Sequence, residues 1–412
     1  MLWMYGTILA TIATVCLVVL TLRHRDHGRL KSLQEHEPAV AVTDPLPNGS
    51  WRFIVSGDSR NCGDVVMPAI AAHSARFTPS FYWHLGDLRA IYKIDEDMAF
   101  AAAKQGQVLA CENYERLAWS DFITNQIAPF SPVSFYLGIG NHEVIPPKNE
   151  DAFSRQFADW LDLPTLQQQR QLDKEQPPAH ETYYHWIQGG VDFIYLDNAA
   201  NFFSDDQVKW LRHHLDSAKT DAATKSVVVG MHEALPDSLA NSHSMGDKGP
   251  GSPGSLSGGQ AYQALEDFRD HARNADGSLK PVYVLASHSH FYMENIFNSS
   301  KLTSDKTGKK KVPLPGWIVG TAGAERYKLP DNPPPKSLTD VYGYLLATVA
   351  PSGSIQFEFK EVHQSDIPEW VRRRYPETFI PWCFERNSKN NELSPADITP
   401  RCTPPQASTT AH

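Results

Sequence analysis

Residues 133–143 read VSFYLGIGNHE, an apolar run that ends in glycine and then presents an amide, an imidazole and a carboxylate in succession. The run Val133–Leu137 predicts a strand, and a strand that stops at glycine passes the chain to a loop that can project Asn141, His142 and Glu143 into a crevice. The same design occurs four more times. Residues 52–60, RFIVSGDSR, run from a predicted strand at Arg52–Ser56 to Asp58, and residues 81–89, FYWHLGDLR, follow a strand at Ser80–Leu85 with Asp87. Residues 227–233, VVVGMHE, place His232 after Val227–Gly230, and residues 282–290, VYVLASHSH, place His288 and His290 after Val282–Ala286. One Gly-Asp pair is ordinary turn chemistry. Five ligand-bearing strand ends in one chain are hard to explain as turns.

The intervening sequence predicts strands at Val191–Leu196 and Trp317–Val319, and helices at Asp64–Ala75, Glu112–Gln126, Asp151–Leu161, Asp205–Leu215 and Gln260–Arg273. Ser204 is positioned as the N-cap of the fourth helix, which lines Val208, Leu211 and Leu215 on one face. Tyr342–Val349 and Ile355–Val362 flank Pro351-Ser352-Gly353 as a hairpin. Gly246–Gly259 and Ser388–His412 read as loops from their Gly, Ser and Pro content. Short apolar runs alternating with amphipathic stretches predict sheets covered by helices. Two carboxylates, an amide and several imidazoles form a mixed N/O donor set suited to Zn, Fe or Mn, and large enough for two ions.

Composition narrows the functional classes. Of 412 residues 41% are hydrophobic and 21% charged, the range of an ordinary globular chain for which disorder is not the default, and 38 basic against 47 acidic residues give −9, which argues against binding nucleic acid backbones. Residues 2–22, LWMYGTILATIATVCLVVLTL, carry no charge. At about 1.5 Å per residue such a helix matches a hydrocarbon core roughly 30 Å thick, so a single-pass membrane anchor is expected. Residues 23–50 read as a tether, 51–365 as the catalytic domain and 366–412 as a partly disordered C-terminal extension. Arg23, Arg25, Arg29 and Lys31 after the span favour a cytoplasmic body. Cys62, Cys111, Cys383 and Cys402 suit two disulfides in an oxidising compartment, and the expectation leans to the extracytoplasmic side.

The order of these motifs resembles the calcineurin-like metallophosphoesterase superfamily, in particular relatives of the purple acid phosphatases. Gly140-Asn141-His142-Glu143 and Ser287-His288-Ser289-His290 are the most specific parts of a match that runs from Arg52 to Val362. The resemblance implies a four-layer α/β/β/α sandwich and hydrolysis of phosphate mono- or diesters by a metal-bound hydroxide. It implies that Asp87 bridges two divalent ions, that Asp58 and His290 hold the first, and that Asn141, His232 and His288 hold the second. His142 would protonate the leaving oxygen or stabilise phosphoryl charge. Three departures stand out. Arg60 occupies the place of a usual first-motif His and cannot be a ligand, so it becomes a candidate for binding substrate phosphate or for pairing with an acidic neighbour. Ala90 stands where purple acid phosphatases have a Tyr ligand, and Ser287 replaces a usual Gly. Weak occupancy of the first position would leave the alternative function, a catalytically weak binding protein for a phosphorylated ligand.

Overall fold

Alternation along the strands decides which layer each side chain enters. Among the described residues twelve strands form: β1 (Trp51–Ser56), β2 (Phe81–His84), β3 (Ser134–Leu137), β4 (Tyr184–Gln188), β5 (Val191–Leu196), β6 (Ser226–Met231), β7 (Val282–Ala286), β8 (Tyr292–Glu294), β9 (Gly316–Val319), β10 (Ser337–Leu338), β11 (Gly343–Val349) and β12 (Ile355–Glu361). In β5, Val191, Phe193 and Tyr195 enter one apolar cluster, while Ile194 and Leu196 enter a second. The same split separates Val228 from Val227, Val229 and Met231 in β6, and Leu285 from Val282, Val284 and Ala286 in β7. Such strands must be covered on both faces.

One sheet has the order β12-β11-β1-β2-β3, and the other β10-β8-β9-β7-β6-β5-β4. They meet through aromatic rungs: Phe53 packs edge-on to Phe193 at 5.0 Å, Tyr136 stacks on Trp186 at 3.9 Å, and Trp317 lies 4.4 Å from Phe357. Helix Gly63–Ser74 adds Val65, Val66, Met67 and Ile70 to the cluster of the first sheet. Helices Asp205–Thr220 and Pro253–His271 cover the second with Val208, Leu211, Leu215, Leu265 and Phe268. The architecture is α+β, with two facing sheets and helices outside them.

The structure, a computed structural model, describes residues 46–175, 181–240, 242–304, 308–390 and 398–402, all in the compact unit Asp44–His412. The expected anchor at 2–22 and most of the tether lie outside the described residues. Among the described residues no helix is long and apolar enough to cross a membrane.

Several elements differ from expectation. The stretch Gly246–Gly259 is helical from Pro253 onward, because Ser252 Oγ accepts from the Ser255 amide at 3.2 Å and proline suits the first helical position. Its glycines serve packing: a Cβ on Gly254 would lie 2.3 Å from the carbonyl oxygens of Asn201 and Met245. The helix expected at Asp151–Leu161 is two pieces, Glu150–Gln156 and Ala158–Leu161. Beyond 365, Val371, Tyr375, Phe379, Ile380 and Cys383 enter the same core as the first sheet. Cys62 pairs with Cys383 and Cys111 with Cys402, at Cα separations of 6.0 and 5.2 Å.

Candidate metal centre

β1, β2 and β3 run parallel in one sheet, and β5, β6, β7 and β9 in the other. The loops leaving these strands knit together across the sheets: the Asp58 amide donates to Gly86 O at 3.0 Å, the Gly57 amide to Val319 O at 3.0 Å, and the Ser287 amide to His232 O at 2.9 Å. Asp58, Asp87 and His288 sit at φ 60°, 60° and 64°, a left-handed backbone that non-glycine residues rarely adopt and that clusters at functional sites. The result is one crevice into which Asp58, Arg60, Asp87, Asn141, His142, His232, His288 and His290 all turn.

Four donors form one group. His232 Nε2 lies 3.0 Å from Asn141 Oδ1, 3.0 Å from His288 Nδ1 and 3.3 Å from Asp87 Oδ1. Donors about 2.1 Å from a common centre and at right angles would be roughly 3.0 Å apart, so these spacings, which are also those of hydrogen bonds, would fit the coordination shell of a first-row metal. His232 Nδ1 donates to Leu85 O at 3.0 Å, which leaves the Nε2 lone pair facing the group. Ser287 Oγ donates to the same carbonyl at 3.0 Å, so the serine that replaces glycine braces the ligand loop.

Asp58, Asp87 and His290 form the second group. Asp58 Oδ2 accepts from the His288 amide at 2.8 Å, while Asp58 Oδ1 and Asp87 Oδ2 are buried with no hydrogen-bond donor. Buried carboxylate oxygens of this kind require a cation. Arg60 is the cation that reaches the group. Its Nη2 donates to His290 Nε2 at 2.9 Å and to Tyr327 Oη at 3.3 Å, its Nη1 donates to His142 Nε2 at 2.7 Å, and its Nε stands 3.9 Å from Asp87 Oδ2. Burial opposes the Arg60 charge, but Tyr327, Tyr92, Asp87 and Asp58 raise its pKa, so it stays protonated.

His142 is held at both nitrogens, since Nδ1 donates to Ala90 O at 2.7 Å while Nε2 accepts from Arg60. Burial, then the Arg60 charge, lower its pKa to about 4. In this arrangement the imidazole is neutral and presents no proton to the crevice. Ala90 contributes its carbonyl oxygen to this contact, and Tyr92 packs 5.4 Å from the His142 ring.

The role of Asn198 carries no local signal in the sequence, whereas His84 and Glu233 stand beside Asp87 and His232 in it. Asn198 Oδ1 accepts from the amides of His232 and Glu233 at 3.2 and 3.0 Å. Glu143 accepts from the amides of Asp87, Leu88 and Gly140 at 2.8–3.0 Å, which fixes the second and third motifs to each other. The motif containing Glu143 was legible, but this linkage between loops was not. His84 holds Ser59 Oγ at 3.0 Å, and Glu233 bonds Asn201. Tyr327 stacks on His290 at 3.9 Å and on His243 at 5.0 Å, and Lys389 Nζ lies 3.8 Å from its ring centre. His243 is half-buried against His288 at 5.2 Å. Beside it opens a cavity of about 400 Å3 lined by Ser242, His243, Tyr327, Lys328 and Lys389.

Two facing mixed sheets with helices outside, and polar side chains gathered at the ends of parallel strands, form an architecture shared with a solved structure. A purple acid phosphatase from yellow lupin (Lupinus luteus) seeds is similar in structure, with a TM-score of 0.52 and 15% identity over 79% of this chain and 53% of that one. The chain thus spans about half the length of that neighbour. A structure of PhoD follows at TM-score 0.45 and 14% identity, covering 80% of this chain and 72% of that one. A dimetal phosphatase from Danio rerio follows at 0.44 and 12%, covering 78% and 97%. At 15% identity the likeness to the lupin structure is one of fold. No protein-family profile matches the chain, and no curated protein does.

Proposed function

We propose that the chain is a metal-dependent phosphoesterase that hydrolyses phosphate mono- or diesters in the crevice between the two sheets. The observation that carries this reading is the group Asp87, Asn141, His232 and His288, whose donor atoms stand 3.0–3.3 Å from His232 Nε2 in a coordination geometry. Bound divalent Mn, Fe or Zn supplies Lewis-acid polarisation of a phosphoryl oxygen and lowers the pKa of water. Asp87 and the three N/O donors hold the ion, and Leu85 O and Asn198 fix the orientation of His232. Asp58 and Arg60 place opposite charges at the other side of the crevice, where the guanidinium can face phosphoryl oxygens. The basic cavity beside Tyr327 suits the remainder of an anionic ester.

The test is hydrolysis of an aryl phosphate monoester and diester by the full chain with added Mn, Zn or Fe(II), alongside Asn141→Ala. Turnover that is lost in Asn141→Ala and on chelation supports the reading; no turnover with any metal overturns it. One observation favours a second reading. Arg60 engages His142 Nε2, which leaves a site that can capture a phosphorylated ligand and turn it over weakly. Saturable phosphate binding without hydrolysis would select it. We further place the chain in a membrane through residues 2–22, with the domain on the extracytoplasmic face. The uncharged span and the paired cysteines support that placement. Protease accessibility in sealed vesicles tests it.

A further inference from the structure

A lone pair can serve one partner. His290 Nδ1 donates to Glu325 O at 2.6 Å, so His290 Nε2 is the atom left to hold a metal, and Arg60 Nη2 already stands on it at 2.9 Å. A metal–imidazole bond is about 2.1 Å, so an ion on that lone pair would lie within about 1 Å of the guanidinium nitrogen along the same line. The two cannot coexist. His142 Nε2, on the other side, pins Nη1 at 2.7 Å, and Tyr327 covers the outer edge of the side chain. Arg60 is therefore held between His142 and His290.

Charge leads to the same place. Asp58 and Asp87 need a cation, and their oxygens Asp58 Oδ1 and Asp87 Oδ2 are the buried acceptors without hydrogen bonds. One dication together with Arg60 outweighs the two carboxylates by a single positive charge. A second dication would leave three positive charges in a buried crevice, where like charges a few ångströms apart repel strongly. The group Asp87, Asn141, His232 and His288 makes no contact with Arg60 other than through Asp87 and keeps its full set of donors.

We propose that Arg60 takes the place of the first metal ion, so that the chain binds a single divalent ion at Asp87, Asn141, His232 and His288, with the guanidinium as the fixed second cation. The inference rests on the phosphoesterase reading for its chemistry, but its test does not depend on turnover. The sequence departure at position 60 then exchanges a removable ion for a permanent charge, and leaves one metal affinity to satisfy instead of two.

The test counts ions. The full-length chain is stripped with chelator, reloaded with excess Mn, freed of unbound metal and assayed for Mn per chain by mass spectrometry and by electron paramagnetic resonance. The expected result is one Mn per chain with the resolved hyperfine signal of an isolated ion, and two per chain with a spin-coupled signal in Arg60→His. Asn141→Ala should lose the single ion of the wild type. Two coupled ions in the wild type would overturn the inference and leave the phosphoesterase reading standing. No Mn in the wild type or in Arg60→His would overturn the metal reading itself. One ion in the wild type that persists undiminished in Asn141→Ala would place it elsewhere and overturn the inference as well. The wild-type count holds even if a variant fails to fold.

Discussion

Gly140 carries no side chain, and the site leaves room for none. A Cβ there would lie 2.4 Å from Asp87 Oδ1 and 2.9 Å from His232 Cε1. Overlap of that size displaces ligand atoms, so Gly140→Ala should weaken Mn binding about 10–100-fold, the range found when ligand support is disturbed, with unchanged circular dichroism. Calorimetric titration of both proteins reads this, and an unaltered affinity would remove Asp87 from the ligand set. Asp58, Asp87, Asn141, His232, His288 and His290 were legible because each closes an apolar run, a pattern confined to about ten residues. The course of Arg60 was not. Its partners His142 and His290 are 82 and 230 residues away, and only the assembled sheets aim the side chain between them. Tyr327 escaped notice because it ends no strand, and Asn198, two residues past β5, because its partners, the amides of His232 and Glu233, are 34 and 35 residues away.

Arg89 shows what the elements ask of the loop after β2. Fully buried, it pairs with Asp64 at 2.5 Å in the first helix, with Asp97 at 2.8 Å in helix Glu96–Lys104, and with Asp121 in helix Cys111–Phe122. Replacing it removes the ion pair of buried Asp97 and leaves Asp64 only Arg374, at 3.5 Å, so Arg89→Met should cost about 3–5 kcal/mol in urea unfolding. A loss below about 1 kcal/mol would show that solvent reaches the cluster. A second clasp joins helix Pro164–Asp173 to β4 and β5. Burial works against the His185 imidazolium there, but Asp192 and Asp173, each at 2.8 Å, raise its pKa to about 10. The unfolded value is about 6.5, so the folded chain holds this proton more tightly; the stabilisation is complete below about pH 6.5 and lost as pH rises to about 10. With Asp173 partly exposed, the expected decline over that window is about 2–4 kcal/mol, and His185→Gln should flatten it. A decline of the same size in the variant would assign it to other groups. Strands with long apolar runs were readable within a residue or two, as β5 and β7 illustrate. The helix beginning at Pro253 was hidden because glycines needed for close packing look locally like loop residues, and β4, with His185 and Gln188 in it, lacks an unbroken apolar run.

At the scale of the whole molecule, two disulfides tie the C-terminal stretch back to the start of the domain across 321 and 291 residues of sequence. Closing such long loops limits the unfolded chain, so reduction should lower stability by about 2–5 kcal/mol per bridge, read as a fall in Tm with dithiothreitol. An unchanged Tm would mean that packing of Phe379, Ile380 and Cys383 alone holds that stretch in place. The even number of cysteines outside residues 2–22 was readable, but their pairing was not, since it follows from how residues beyond 365 reach the starts of helices Gly63–Ser74 and Cys111–Phe122. Strand order was hidden likewise, because β11 returns from the far end of the chain to lie beside β1. What this assembly achieves is to bring five distant strand ends to one crevice, and the claim that the crevice is a metal centre rests on that convergence. Anomalous diffraction from crystals of the Mn-loaded protein tests it most directly. A peak enclosed by Asp87, Asn141, His232 and His288 is the predicted result, and a peak elsewhere with none at that position would contradict the account.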